Sequence, residues 1–196
     1  MTSPARLACI AALAFLSACA NAPPTSLVTL DNGRPKIAGV SKAPSIAVIR
    51  ANVPERIDRS QLVMRTGGNQ VTLSEQYRWA EPLRREIPRV MANDLGELLD
   101  SSRIAALPSD AAGYDVDFKL MLDFQQLDAV AGQGVDVDVL WRAEHRSGSA
   151  IVGRSSFRQS VAGAAADYPT LVAAQRQALR RVATEIAQDI AAYQRH

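Results

Sequence analysis

The chain has few of the side chains that carry most enzyme and metal chemistry. Its 196 residues include two cysteines and two histidines, and Cys9 and Cys19 both lie near the amino terminus. The rest of the sequence contains no thiol, which excludes a disulfide or a cysteine metal site there. The formal net charge is +2, and this balance gives no electrostatic case for nucleic-acid binding. No apolar run reaches the roughly 20 residues that span a bilayer.

The amino terminus has the organisation of a signal peptide. A short polar start carries one positive side chain, Arg6, and the apolar run Leu7–Leu16 follows it. This run is only about half as long as a transmembrane helix needs, so we interpret it as a removable hydrophobic region. Residues 1–18 are therefore predicted to be absent from the mature protein, whose net charge falls by one with the loss of Arg6.

The end of this segment, Leu16-Ser17-Ala18-Cys19, resembles the lipobox of bacterial lipoproteins. The resemblance implies cleavage before Cys19, a diacylglyceryl group on its thiol and acylation, for example with palmitate, of the new amino terminus. The alternative is ordinary cleavage near an Ala-x-Ala pattern in residues 18–22. In lipoproteins the residue after the cysteine directs sorting, and Ala20 implies the outer membrane with the body in the periplasm. Residues 19–25 are expected to form a lipidated tether.

Residues 26–196 are predicted to form a single α+β domain. Strict alternation of apolar side chains from Val116 to Phe124 predicts the clearest strand, and the next apolar residue, Leu127, requires a β-bulge near Gln125-Gln126. Helical spacing predicts two amphipathic helices, one entered at Pro82 and one opened by Asp167. The remaining predicted elements are strands at Ser26–Leu30 and Ser45–Ile49, a hairpin from Leu62 to Leu73, and two more strands in Val135–Trp141 and Ile151–Val161.

These elements predict a two-layer domain, a mixed and mostly antiparallel sheet with two helices packed on one face. Arg50 is expected on the same face as Ile46 and Val48. A three-residue loop, Ser147–Ser149, would set Val139 opposite Phe157 and Val135 opposite Val161, and a turn at Gly132–Gly134 would set Asp138 opposite Asp128. We expect no apolar surface beyond the one that the two helices cover.

Three patterns with potential chemistry have simpler explanations. His145 is a candidate for a catalytic triad, but no nucleophile motif lies near it, and a surface histidine on a strand is the simpler interpretation. Asp115, Asp117, Asp136 and Asp138 form two Asp-Val-Asp triplets, which the predicted pairing keeps apart, so no metal site is expected. Gly132-Gln133-Gly134 lacks the third glycine and the helix of a dinucleotide loop and is interpreted as a turn. No cofactor is predicted.

The segment from Pro54 to Leu99 resembles the ABC-type transport auxiliary lipoproteins of the paraquat-inducible protein C type. The matching residues are Pro54, Ile57-Asp58-Arg59, Leu62-Val63, Arg65, Arg78–Leu83, Arg89-Val90-Met91 and Asp94-Leu95. The resemblance implies a non-enzymatic periplasmic lipoprotein that partners an MCE-domain protein and its inner-membrane components in lipid transport. It also implies a fold similar to the amino-terminal domain of TolB-type proteins, and it allows a homo-oligomer.

Arg59, Tyr77 and Trp79 are the candidates for a partner surface, because aromatic residues and arginine dominate binding hot spots. The alternative for Trp79 is that it packs the entry of the helix against the sheet. Two other functions stay open at this point. The domain could carry a lipid between its sheet and helices, or act as a hydrolase that uses His145.

Overall fold

The computed structural model describes residues 24–31, 33, 43–107, 115–161 and 167–195. These residues form one mixed sheet of eight strands and two helices, which confirms the predicted α+β class. The strands are β1 (Ser26–Val28), β2 (Ile46–Asn52), β3 (Gln61–Gly67), β4 (Gln70–Trp79), β5 (Ile104–Ala106), β6 (Phe118–Val130), β7 (Gly134–His145) and β8 (Ala150–Ser160). The helices are α1 (Leu83–Leu98) and α2 (Tyr168–Tyr193).

β6 is the central strand, and it pairs along both of its edges. One edge pairs with antiparallel β7 over nearly the whole strand. The other edge is shared, since parallel β2 pairs with Phe118–Asp123 and parallel β3 pairs with Ala129-Val130. The β6–β7 register shifts between Phe124 and Gln126, which confirms the predicted bulge. β5 and the β4–β1 pair extend the sheet outward from β2 and β3, and β8 extends it beyond β7.

Both helices pack on one face of the sheet, here called the inner face. α1 lies against β2 and β5, α2 lies against β6, β7 and β8, and the helices contact each other. The inner side chains of β6 alternate with exposed polar ones, as the period-2 pattern predicted. Each large apolar side chain that is fully buried contributes about 1.5–3 kcal/mol to the stability of the fold. The core includes Ile46, Val48, Leu95, Phe118, Leu120, Leu122, Leu127, Leu179 and Ile186.

A buried ion pair joins the two helices. Asp94 of α1 is only 1% exposed, and its two carboxylate oxygens accept hydrogen bonds of 2.6 Å each from Arg176 of α2. Arg180, one turn further along α2, donates to the same carboxylate at 2.9 Å and to Glu97 at 2.8 Å. The bidentate geometry fixes both the distance and the rotation of α2 relative to α1.

Replacing Asp94 with alanine should therefore destabilise the domain by about 3–5 kcal/mol, because the mostly buried guanidinium of Arg176 is left without its counter-charge. Urea unfolding followed by circular dichroism measures this loss. Glu97→Ala is the matched control, since it removes a more exposed acid from the same cluster and should cost less than about 1 kcal/mol. If the two variants lost equal amounts of unfolding free energy, Asp94 would not be the residue that holds the two helices together.

Two predicted registers are wrong by two residues. In β7–β8, Val137 pairs with Phe157 and Val135 with Gln159, and in β6–β7, Asp136 rather than Asp138 pairs with Asp128. The β7–β8 loop consists of residues 146–149, in which Gly148 takes the left-handed conformation with φ of 93°. An even shift leaves the same side chains on the inner face, so the buried pattern survives the error.

Glycine also fixes the β7–β8 register directly. Trp141 pairs with Gly153, and a β-carbon at Gly153 would overlap the indole ring. The ring therefore fits only opposite a residue that lacks a side chain.

Two further features differ from the expectations. The β2–β6 register shifts between Val48 and Arg50, and Arg50 pairs with Met121. Arg50 therefore lies on the face away from the helices, and the expectation that it shares a face with Ile46 and Val48 is wrong. β5, only three residues long, was not predicted, and it pairs in parallel with the start of β2.

Candidate functional site

The end of the predicted tether leads directly into the sheet. β1 begins at Ser26 and pairs in parallel with the end of β4, Ser26 opposite Tyr77 and Val28 opposite Trp79. The amide of Ala80 adds a hydrogen bond to the carbonyl of Val28 at 2.8 Å. We call β1 and the loop Thr29–Asp31 the anchored edge. Cys19 itself lies outside the described residues.

A buried carboxylate fastens the anchored edge to α1. Glu86, in the first turn of α1, is 0% exposed. Its Oε1 atom accepts hydrogen bonds from the amides of Leu30 at 2.6 Å and Asp31 at 3.3 Å, and from the Thr29 hydroxyl. Since the pairing of β1 covers only three residues, this cluster contributes much of the attachment of the chain where the tether ends.

The Glu86→Ala variant tests this attachment. It leaves the buried amide of Leu30 without an acceptor, which costs about 1–3 kcal/mol, and we expect the loss to appear as local opening of the anchored edge. Hydrogen exchange at Leu30 should accelerate by about tenfold or more, while exchange in β6 and β7 changes less. Glu75→Ala, at an exposed position of β4, is the control; unchanged protection of Leu30 in Glu86→Ala would contradict the assignment.

The three sequence-predicted partner residues lie around this edge in different environments. Trp79 is 6% exposed and belongs to the core cluster, and its amide donates to the carbonyl of Ser60 at 2.7 Å. Arg59, next to Ser60, is exposed. Tyr77 is half-buried, and its ring centre lies 5.7 Å from that of Tyr168. The burial of Trp79 favours the packing alternative, and a partner contact through Arg59 and Tyr77 stays a prediction.

The start of α2 completes this region. Asp167 caps the helix, as predicted, and accepts a hydrogen bond from the amide of Thr170 at 2.9 Å. Its hydrogen bonds with Thr170 hold the pKa of Asp167 below the usual range. Burial raises the pKa of the neighbouring Tyr168, against the opposing effect of a hydrogen bond with Ser74. Tyr168 is therefore neutral at physiological pH, and its ring packs against that of Tyr77.

Alanine substitutions at Trp79 and Tyr77 should separate packing from contact. Trp79→Ala should cost about 3–5 kcal/mol of unfolding free energy, because it empties a large core site. Tyr77→Ala should cost less and should weaken partner co-purification while the fold is retained. Urea unfolding and pull-down from solubilised membranes measure the two effects, and Trp79→Phe is the control that keeps an aromatic ring. A stable Trp79→Ala protein that loses only its partner would contradict the packing role.

The sequence-predicted catalytic candidate lacks its orienting acid. Nδ1 of His145 lies 2.8 Å from the hydroxyl of Ser147, in the exposed β7–β8 loop. The imidazole packs against the rings of Phe118 and Tyr193 at 4.9 and 5.3 Å. Within the described ranges no carboxylate bonds to His145, so this Ser–His pair does not form the triad geometry.

The aspartates of the β7 triplet form ion pairs instead of facing one another. Asp136 binds Arg158 and Asp138 binds Arg154 across the β7–β8 pair. The hydrogen bond from Arg154 holds the pKa of Asp138 below its usual range. Asp128, which is 4% exposed, binds Arg56 at 2.9 Å and Arg65 at 2.8 Å. In the part of the chain that the structure describes, no group of three or more His, Cys, Asp or Glu side chains has metal-site geometry.

The sheet face opposite the helices, here called the outer face, is more apolar than the sequence predicted. The large exposed apolar residues of the described chain all follow the outward alternation: Leu27, Val71, Leu73, Leu140 and Val152, the last 65% exposed. The expectation of no surplus apolar surface is therefore wrong. It failed because only the pairing pattern shows that these isolated residues of β1, β4, β7 and β8 share one face.

Cavities lie at one edge of the sheet and on its outer face. One, of about 520 Å³, lies where β2 and β5 end and α1 begins. A neighbouring cavity of about 290 Å³, on the outer face, is lined mostly by apolar side chains from β2, from β6 and from the segments that follow β5 and precede β6. The larger cavity is lined by Ile49, Arg50, Ala51, Asn52, Glu81, Arg84, Arg85, Arg89, Ala106 and Leu107. Sequence reasoning missed this cluster because Arg50 comes from β2 and the other three arginines come from α1, and the bulge in β2 turns Arg50 away from the inner face.

Comparison with protein families identifies the class. The family model of the ABC-type transport auxiliary lipoprotein component matches residues 29–187, which is most of the chain. The protein belongs to this family. It is thus a component associated with a transport system and a member of a family of membrane-anchored envelope lipoproteins, as the resemblance of Pro54–Leu99 implied.

Solved structures support the fold of the auxiliary lipoprotein. The crystal structure of an uncharacterized protein is similar with a TM-score of 0.63 and 18% identity, over 85% of this chain and 99% of that one. A protein from Xanthomonas campestris assigned to family model DUF330 is similar with a TM-score of 0.51 and 18% identity, over 84% of this chain and 90% of that one. At this identity the likeness shows the fold alone.

A search of curated proteins finds no match. Neither helix of the described ranges combines the length and apolar composition that a bilayer crossing requires.

Proposed function

We propose that this protein is an outer-membrane-anchored periplasmic lipoprotein that acts as a non-enzymatic docking component of an MCE-type intermembrane lipid transport system. The observation that carries the proposal is the family match over residues 29–187, together with the lipobox-like Leu16-Ser17-Ala18-Cys19 ahead of it. The family supplies the link to a transport system. The cysteine supplies the attachment to a membrane, and Ala20 favours the outer one.

The anchored edge supports this role mechanically. Ala20–Thr25, the residues between the acylated Cys19 and β1, span at most about 20 Å. The folded body would therefore stay close to the lipid surface, with Arg59 and Tyr77 near its attachment point. A short tether suits a component that holds a partner at one membrane.

The alternative of a lipid held between sheet and helices has less support. That space is filled by buried side chains of β6 and the two helices, among them Leu120, Leu122, Leu95 and Leu179. A chain inserted there would have to displace a close-packed core. Docking is the function that the family and the packing favour together.

Lipidation can be tested in cells of the source organism or of a related host. Wild-type protein should incorporate labelled palmitate and fractionate with the outer membrane, whereas Cys19→Ser should incorporate none and leave the membrane fraction, because it removes the acceptor thiol. Two or more acyl chains anchor a protein far more firmly than one. Ala20→Asp is the companion variant and should retain label but move to the inner membrane.

Co-purification of an MCE-domain protein with the wild type, and its loss on Arg59→Ala/Tyr77→Ala, would support the docking role. Label on Cys19→Ser, or wild-type protein that is soluble without detergent, would refute the anchor. An anchored protein that brings down no transport component would refute the docking role.

A further inference from the structure

Three cavities at this edge of the sheet and on its outer face adjoin one another. The large cavity at the ends of β2 and β5 shares Ile49 and Leu107 with the 290 Å³ apolar cavity. A third, of about 260 Å³, shares Arg50 with the first and Met121 with the second, and extends toward Leu140. We call this connected surface the outer groove. It has a charged end and an apolar end, and each has a volume in or near the range of small-molecule sites.

The charged end has an excess of positive charge. Four guanidinium groups and one carboxylate line it. Arg84 is neutralised by Asp58 at 2.7 Å, and Arg89 binds Glu81. The guanidinium groups of Arg50 and Arg85 have no ion-pair or hydrogen-bond partner among the described residues. Within the described ranges these two cations are thus available to an anion, and the planar guanidinium is well suited to phosphate oxygens.

The backbone around this end favours the same ligand. β2 and β5 are parallel neighbours, and their carboxyl ends meet the amino end of α1 at the groove. Ligands of open sheets commonly bind at such ends, and the partial positive charge of a helix amino terminus attracts an anion. No side chain caps the first turn of α1. The start of α1, whose first turn also contains the buried Glu86, thus lines the same cavity as Arg50 and Arg85.

The apolar end favours a ligand that is larger than a simple phosphate. Ala47, Ile49, Leu107, Val116 and Met121 line it, with Lys119 and Glu144 at its rim. Such a surface gains stability only when carbon atoms cover it. An anion beside an apolar strip matches an amphiphile with a phosphate head and a hydrocarbon chain.

We propose that the outer groove binds one phospholipid molecule, with its phosphate at Arg50 and Arg85 and an acyl chain along Ile49, Leu107 and Met121. The charged end of this site lies at the edge of the sheet, between the ends of β2 and β5 and the start of α1, and the apolar end lies on the outer face. It goes beyond the docking role and does not depend on it, because it rests on the described residues alone.

Native mass spectrometry of the full-length protein, extracted in an uncharged detergent, tests the site outside any bilayer. The detergent is itself a competitor that offers a chain without phosphate. Titration with lysophosphatidylglycerol should give a one-to-one adduct, and glycerol 3-phosphate at the same concentration should not. Arg50→Ala/Arg85→Ala should weaken the adduct about tenfold or more, because it removes both charge-assisted hydrogen-bond donors of the phosphate.

Two matched controls separate binding from general effects. Arg154→Ala/Arg158→Ala removes the same charge from the β8 end of the same face and should leave the adduct unchanged. Met121→Asp should weaken it and Met121→Leu should retain it, which tests the apolar end without removing an arginine. Thermal unfolding of each variant in the absence of lipid establishes that the fold is intact.

The remaining outcomes overturn the proposal. Absence of a lysophosphatidylglycerol adduct, or equal binding by wild type and Arg50→Ala/Arg85→Ala, would remove the site. Equal binding of glycerol 3-phosphate would show an anion site without a chain. Unchanged lipid binding with loss of partner co-purification in Arg50→Ala/Arg85→Ala would assign the arginines to an acidic segment of a protein partner. A failure of the docking role alone would leave the lipid adduct intact.

Discussion

The whole sheet depends on β6, which forms backbone hydrogen bonds to other strands along both of its edges. Its first half pairs with β2 and its last residues pair with β3 on one edge, while β7 occupies the other. The bulge between Phe124 and Gln126 makes this arrangement compatible with burial, since it returns Leu127 to the inner face. Without that change of face, Leu127 would point to solvent and Asp128 would enter the core, at a cost of several kcal/mol for an unpaired buried charge.

Covering one face of such a sheet with two helices leaves the other face to be stabilised differently. Ion pairs such as Asp136–Arg158 occupy part of the outer face near β8. Around β2 and the first half of β6, apolar side chains lie beside Arg50, and Arg85 of α1 lines the adjoining cavity. Neither arginine has an ion-pair partner among the described residues. This contrast with the paired arginines near β8 is why the outer groove, rather than the core, is the place to look for a ligand.

Features that depend on residues close together in the sequence could be predicted, and features that depend on distant residues could not. Alternation in β6 and the helical spacing after Pro82 are local patterns, and they correctly gave the class, the buried face and the bulge. The exact register of β7–β8 depends on which loop residue is left-handed, Gly148, and on the overlap that Trp141 imposes opposite Gly153. β5 has too few residues for any period to be recognised. The arginine cluster is a product of tertiary structure, and no spacing in the sequence brings Arg50 next to Arg85.

α1 connects the two ends of the molecule through two buried acids. Glu86 near its start binds the anchored edge, and Asp94, two turns later, binds Arg176 of α2. If the tether is fixed in a bilayer and a partner pulls on the body, the force enters at β1, whose pairing spans only three residues. A strand so short would separate from β4 readily by itself. The hydrogen bonds to Glu86 pass part of that load to α1, which Asp94 links to α2 and the packed core, so the attachment is stronger than the edge strand alone would make it.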